Sequence, residues 1–343
     1  MKALILEQPG RAVIAPVPKP VPSSGEALLK VRRVGLCGSD LNSFRGRNPM
    51  VSYPRIPGHE IAATIVELDG SPSHLKVGMD VTLSPYTSCG QCASCRRGRS
   101  NACQFNQTLG VQRDGGLTEY ICIPVERLHP ANLDLKSLCL VEPLTVGFHA
   151  AARGRVAHGE TVAVLGCGGV GLGAVAAAAA RGAVTIAVDV DDAKLAIAQQ
   201  AGASHRIHAQ RQNVRDQLRS LTGGDGPDVI IEAIGTPDTF RLAVEEVAFT
   251  GRVVYIGYAK EPVSYETKFF VQKELDVLGT RNAQPEDFRS VIQMLEAGRF
   301  PVDAAVSTIV PLDEAPGILT QWSDNPSRFT KIIIDLDASA SGE

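Results

Sequence analysis

Four cysteines fall within fifteen residues, Cys89, Cys92, Cys95 and Cys103, in the run CGQCASCRRGRSNAC. Neighbours in a C-x-x-C pair sit too close for an easy disulfide, yet their thiolates converge readily on one tetrahedral ion. Four sulfurs with no other ligand type describe a closed, structural zinc site. A disulfide framework would need an exported chain, and nothing in the sequence marks one. A second, mixed set is spread more widely: Cys37-Gly38-Ser39-Asp40, then Pro57-Gly58-His59-Glu60, then Glu142 in VEPLTVG. Taken singly, these residues have dull explanations as a buried thiol, a turn histidine and surface acids. Together, Cys, His and carboxylate can hold zinc and leave one position open, which a catalytic site requires.

A third constellation is the loop GCGGVG, with Gly166, Gly168, Gly169, Val170 and Gly171. Gly166 permits a tight turn, Gly168 lets a pyrophosphate approach the backbone, and Gly171 lets a helix pack close on a strand. The following helix N-terminus offers free N–H groups and the positive end of its dipole to phosphate. Such a loop alone is weak, but here it lies between a strand and a helix, and Asp189 ends the next strand about 20 residues on. A carboxylate there accepts hydrogen bonds from the hydroxyls of an adenosine ribose and repels a 2′-phosphate, which predicts NAD over NADP. The competing reading makes Asp189 the cap of the helix that begins at DDAK.

These residues need elements to hold them. Up to about residue 145 the chain shows short β-like runs broken by Gly and Pro, such as EALLKVRRVG, IAATIVEL, MDVTLSP and GGLTEYICIP. That spacing predicts a mostly antiparallel β domain. From Glu160 the texture changes to TVAVLG, the helical GLGAVAAAAARGA, AVTIAVDV, the helical DDAKLAIAQQAGA, GPDVIIEAIG, GRVVYIGYA and ELDVLGTR. Strands alternating with helices predict a parallel, doubly wound sheet covered on both faces. The expected division is a catalytic domain over 1–147, with the cysteine lobe at about 86–106, completed by 284–337. Residues 148–283 form the nucleotide domain, and 338–343 a disordered tail. The helix PEDFRSVIQMLEAGR and the strand FTKIIIDL supply the return to the first domain.

Length and composition agree. At 343 residues the chain is comfortable as two domains, and 44% apolar residues with 33 glycines suit an α/β protein rich in tight turns. A net charge of −3 without a basic block gives nucleic acid no footprint. No apolar run reaches the length of a membrane span, and the start lacks a signal-peptide layout. Eight cysteines without an export signal suit a cytoplasmic location.

The ordered series CGSDLNSF, PGHE, the four-cysteine lobe, VEPLTVGFHA, GCGGVG and GTRN resembles the zinc-dependent medium-chain dehydrogenase/reductase superfamily, on the branch of sorbitol (polyol) and threonine dehydrogenases. FRGRNPMVSYPRIPGHE looks most like bacterial enzymes acting on sugar alcohols and sugar acids, such as galactonate. The resemblance implies a GroES-like, mostly β catalytic domain plus a Rossmann domain, assembled as a homodimer or homotetramer. It implies two zincs per chain and Cys37, His59 and Glu60 as ligands of the catalytic one, with Glu142 either ligating it or holding its water. Ser39 would supply the hydroxyl beside the reacting oxygen and pass its proton outward. Asp40 would orient the His59 ring, and Arg281 and Asn282 would lie on the nicotinamide side. Zinc lowers the pKa of a bound water from about 15.7 to about 7; an alcohol held there is acidified alike, and the alkoxide gives hydride to NAD, forming a ketone. Many relatives carry a relay histidine five residues after the zinc cysteine. Here that position is Asn42, which cannot titrate, so the proton-exit route differs.

Substrate detail is thinner. Arg45 and Arg47 are placed to greet a carboxylate or phosphate, although arginines usually lie solvated. Phe44, Tyr53 and Phe105 are candidate pocket walls, and Cys122, Cys139 and Cys167 read as buried thiols. The preferred expectation is an NAD-dependent polyol or sugar-acid dehydrogenase. Its rivals are a threonine 3-dehydrogenase-like or general secondary-alcohol enzyme and, in another class, a non-catalytic dinucleotide-binding protein.

Overall fold

One long strand, Glu26–Leu36, organises the first part of the chain. Its residues EALLKVRRVGL alternate well enough to bury Leu29, Val31, Val34 and Leu36 in one core. It pairs antiparallel with Glu60–Leu68, with Tyr120–Pro124 and with the late strand Ile332–Asp335. The strand within FTKIIIDL therefore belongs to this first sheet. Asp80–Leu83 and Leu128–Pro130 extend the sheet on one side, and Thr308–Pro311 extends it on the other. A computed structural model describes residues 1–69 and 74–338, so the expected disordered tail lies, beyond Ala338, outside the described residues.

The second part is a six-stranded, all-parallel sheet. Its spatial order is His205–His208, Val184–Asp189, Thr161–Leu165, Val229–Glu232, Arg252–Tyr255 and Asp276–Gly279. Strand order reverses on either side of Thr161–Leu165, which makes the loop after that strand the switch point where such sheets bind ligands. Ala163, Leu165, Ile186, Val188, Ile230 and Val253 are buried in the core of this unit. One strand was not foreseen. His205–His208 is short and polar because it lies at the sheet edge, with His205 and Arg206 exposed.

The chain divides into Met1–Glu142 with Leu295–Ala297 and the stretch from Val302 onward, and a second unit of Pro143–Met294 with Gly298–Pro301. The crossover falls inside the helix Leu135–Arg153, at Pro143. This is earlier than residue 147, because the later half of that helix packs on the glycine-rich helix of the second unit. A methyl group on Gly147 would lie 2.1 Å from the Ala174 nitrogen. The helix Pro285–Glu296, expected with the first domain, groups with the second as far as Met294. Phe288 is fully buried, and Asp287 pairs with His149 at 2.9 Å. Among the described residues no helix is long and apolar enough to cross a membrane.

Candidate metal centres and nucleotide site

The cysteine lobe holds its four sulfurs within 4.8 Å of one another, with Cys92 Sγ 3.5 Å from Cys95 Sγ and 3.9 Å from Cys103 Sγ. All four cysteines are free thiols. Tetrahedral zinc with bonds of about 2.3 Å requires sulfurs about 3.8 Å apart, so the cage fits the ion. Backbone N–H groups point at the sulfurs: Cys92 donates to Cys89 Sγ, and Cys89 and Phe105 donate to Cys103 Sγ. The Ser94 hydroxyl and nearby backbone N–H groups pull the Cys92 thiol down to about 5. A thiolate is the form that binds metal.

The mixed set forms at one end of the long strand. Cys37 follows its last residue and caps the helix Gly38–Phe44, while Glu60 opens the neighbouring strand. One donor atom each from Cys37, His59 and Glu60 lies within 4.8 Å of the others. His59 and Glu60 are buried. Burial opposes a charged imidazole, but Asp40, the Cys37 sulfur and Glu142 outweigh it and raise the His59 pKa well above its usual value. So much converging negative charge calls for a cation. His59 Nδ1 and Ser39 Oγ are buried without a hydrogen-bond partner among the described residues. A thiolate, an imidazole and a carboxylate form a donor set that suits zinc with an open position.

Asp40 holds the set differently from the expectation. Its Oδ1 lies 3.9 Å from His59 Nδ1, too far for a hydrogen bond. It accepts instead from the Cys37 N–H at 2.9 Å and the Gly58 N–H at 3.1 Å, and so ties together the two segments that carry the donors. Glu142 does not join the three mutually close donors. One of its oxygens accepts the hydroxyl of buried Tyr86. Burial, then the neighbouring Glu142, Cys37 and Glu60, push the Tyr86 phenol well above its ordinary value, which keeps it a donor.

Sequence reasoning missed Tyr86, and it missed Lys331. The Lys331 Nζ lies 2.6 Å from both Glu60 oxygens and 3.1 Å from the Leu36 carbonyl. The signal was present: a lone lysine at the head of the apolar run KIIIDL, where an exposed charge would be out of place. Gly35 makes room for this pair, since a methyl group there would lie 2.2 Å from a Glu60 oxygen.

In the second unit the glycine-rich loop follows Thr161–Leu165 and opens the helix Gly169–Ala180. Gly166 has φ +94°, a left-handed conformation that favours glycine. A methyl group on Gly171 would lie 1.8 Å from the Gly166 carbonyl oxygen, whereas one on Gly168 would meet nothing within 4 Å. The loop borders a cavity of about 400 Å³ lined also by Asp189, Val190, Lys194, Ile234 and Thr239. Asp191, not Asp189, caps the helix Asp192–Gln200. The Asp189 carboxylate accepts from the N–H groups of Cys167, Val190 and Asp191, which fixes it at the cavity.

Other candidates land elsewhere. Arg45 donates to Ser323 Oγ and to the Ser323 carbonyl, beside Arg47 in a cleft of about 450 Å³ at the far end of the helix that Cys37 caps. Phe44 is core, Phe105 is exposed, and Tyr53 donates to the Ser43 carbonyl. Cys139 and Cys167 are buried, and Cys122 is half-buried. Arg281 and Asn282 follow the edge strand Asp276–Gly279, with Asn282 at φ +52°.

Comparison with known proteins adds an independent line. Residues 23–133 match the alcohol dehydrogenase GroES-like domain family, and residues 169–297 match the zinc-binding dehydrogenase family. The chain is 35% identical to L-galactonate-5-dehydrogenase of Escherichia coli K12 over 312 residues, covering 91% of this chain and 92% of that protein. It is 36% identical to sorbitol dehydrogenase of Bacillus subtilis 168 over 287 residues, 81% of each chain. A provisionally assigned zinc-binding dehydrogenase from Sinorhizobium meliloti 1021, solved bound to NADP, superposes with a TM-score of 0.90 at 29% identity, over 98% of this chain and 99% of that one.

Proposed function

Since the chain belongs to the zinc-dependent medium-chain dehydrogenase superfamily, on its polyol and sugar-acid branch, we propose that it oxidises a secondary alcohol of a polyol or sugar acid to a ketone with NAD. The observation that carries this reading is the convergence of half-buried Cys37 with buried His59 and Glu60, two residues from a Ser39 hydroxyl that has no hydrogen-bond partner among the described residues. Zinc held by Cys37, His59 and Glu60 would supply the Lewis acidity that acidifies an alcohol, and NAD held at the glycine-rich loop would supply the hydride acceptor.

The chain's own residues do the rest. Cys37, His59 and Glu60 present one thiolate, one imidazole and one carboxylate. The Ser39 Oγ would take the substrate hydroxyl's proton as it releases its own outward to water; with Asn42 where a relay histidine would stand, no ring nitrogen is available at that position. In the nucleotide unit, the N–H groups at the start of Gly169–Ala180 meet the pyrophosphate over the open face of Gly168. A carboxylate offers about four lone-pair sites. Asp189 uses three of them on backbone N–H groups, which leaves capacity for a ribose hydroxyl and a charge that disfavours a 2′-phosphate. The Sinorhizobium relative was solved with NADP; what supports NAD here is the Asp189 carboxylate at the cavity of this chain. Arg281 and Asn282, at the carboxyl end of their strand, complete the nicotinamide side.

A panel of polyols, aldonates and L-threonine, run with NAD and with NADP and read as reduced-cofactor absorbance, tests this reading. Turnover of a polyol or aldonate with NAD is expected, and Asp189→Ala should lose at least tenfold of the preference for NAD. Turnover of threonine alone would reverse the substrate class, and an unchanged preference in the variant would remove Asp189 from cofactor choice.

A further inference from the structure

Tyr86 lies between the strand Asp80–Leu83 and the cysteine lobe, outside any regular element. It is nevertheless 8% exposed, and its hydroxyl donates to Oε1 of Glu142, itself 4% exposed and 56 residues away. Glu142 sits one residue before Pro143 in its helix. Buried beside a set of metal donors, a carboxylate would ordinarily be drawn into it, yet among the described residues the mutually close set is Cys37, His59 and Glu60. A second carboxylate among the ligands would fill the position that substrate needs.

We propose that Tyr86 is a positioning residue that holds Glu142 out of the metal's ligand set, so that this carboxylate serves the open position as a hydrogen-bond acceptor instead of occupying it. The proposal rests on Cys37, His59 and Glu60 being the metal set. The Tyr86 hydroxyl takes one carboxylate oxygen, and a carboxylate committed to a phenol at one oxygen is a poorer ligand and a better-oriented acceptor. Loss of the hydroxyl alone, with the ring left to fill its place, frees Glu142 to bind.

The test uses protein with cobalt in place of zinc, whose visible bands report the ligand set, together with chelator competition, for wild type, Tyr86→Phe, Glu142→Gln and the double variant. Tyr86→Phe is expected to keep two metals per chain and to hold the one outside the cysteine lobe at least tenfold more tightly. Its cobalt bands should shift, and kcat should fall at least tenfold with KM little changed. The double variant should return to the spectrum and affinity of Glu142→Gln. Tyr86→Phe with unchanged bands and chelator resistance overturns the proposal, as does a change that persists without the Glu142 carboxylate. Wild type carrying metal only in the cysteine lobe overturns the metal set as well, a failure told apart by the metal count alone.

Discussion

Lys331 is the residue on which the mixed site leans most heavily. Its ammonium sits against both oxygens of Glu60, and both residues are buried, Glu60 completely. Removing one partner of a buried ion pair leaves the other charge uncompensated, at a cost of about 3–5 kcal/mol. In metal-free protein, Lys331→Met should therefore destabilise the fold by roughly that amount in urea unfolding near pH 7, whereas replacing an exposed lysine such as Lys268 should cost under about 1 kcal/mol. The pH dependence has a definite sign. Burial works against the charged form, but Glu60 outweighs it and raises the lysine above its ordinary 10.5. The pair's contribution is complete below that ordinary value and is lost as pH climbs through the higher folded-state value. Metal-free wild type should thus keep its advantage over metal-free Lys331→Met from about pH 7 to about pH 10 and lose it above that. A difference that grew with alkalinity would contradict this assignment.

At the level of elements, the motifs that were legible are those whose parts lie close in sequence. The four-cysteine lobe spans fifteen residues, and the glycine-rich loop spans six. Lys331 and Tyr86 escaped because their partners are 271 and 56 residues distant. No local spacing encodes such contacts. Strand register makes the first of them: Ile332 pairs with Leu36 and Gly35 pairs with Glu60, so the three strands bring Lys331, Glu60 and Cys37 to one end of the sheet. Asp40 shows the limit in part: its bond to the Cys37 N–H is a local capping contact at the helix start, whereas its bond to the Gly58 N–H depends on how that helix meets a distant loop. The glycine loop yields a prediction that separates packing from binding. Gly171→Ala forces a methyl group to 1.8 Å from a carbonyl oxygen and should lower the melting temperature by several degrees or prevent folding. Gly168→Ala meets open space in the protein and should melt as wild type does, yet weaken NADH binding at least tenfold. Calorimetry with a fluorescence titration of NADH checks both. Equal NADH affinity in Gly168→Ala would mean that the pyrophosphate does not pass over that face.

Over the whole molecule, the two architectures read correctly from texture alone, because β-rich punctuation and strand–helix alternation persist over more than a hundred residues each. The boundary between them did not, because the chain crosses inside a continuous helix, where no change of composition announces the passage. Each unit carries its own share of the chemistry: metal donors in the first, nucleotide cavity in the second. The most direct measurement is zinc per chain, by elemental analysis of exhaustively dialysed protein, for wild type and Cys37→Ser. Two zincs falling to one, with the cysteine lobe still loaded, is the predicted result. One zinc in both proteins would contradict the account, because it would leave Cys37, His59 and Glu60 without the ion on which the proposed chemistry depends.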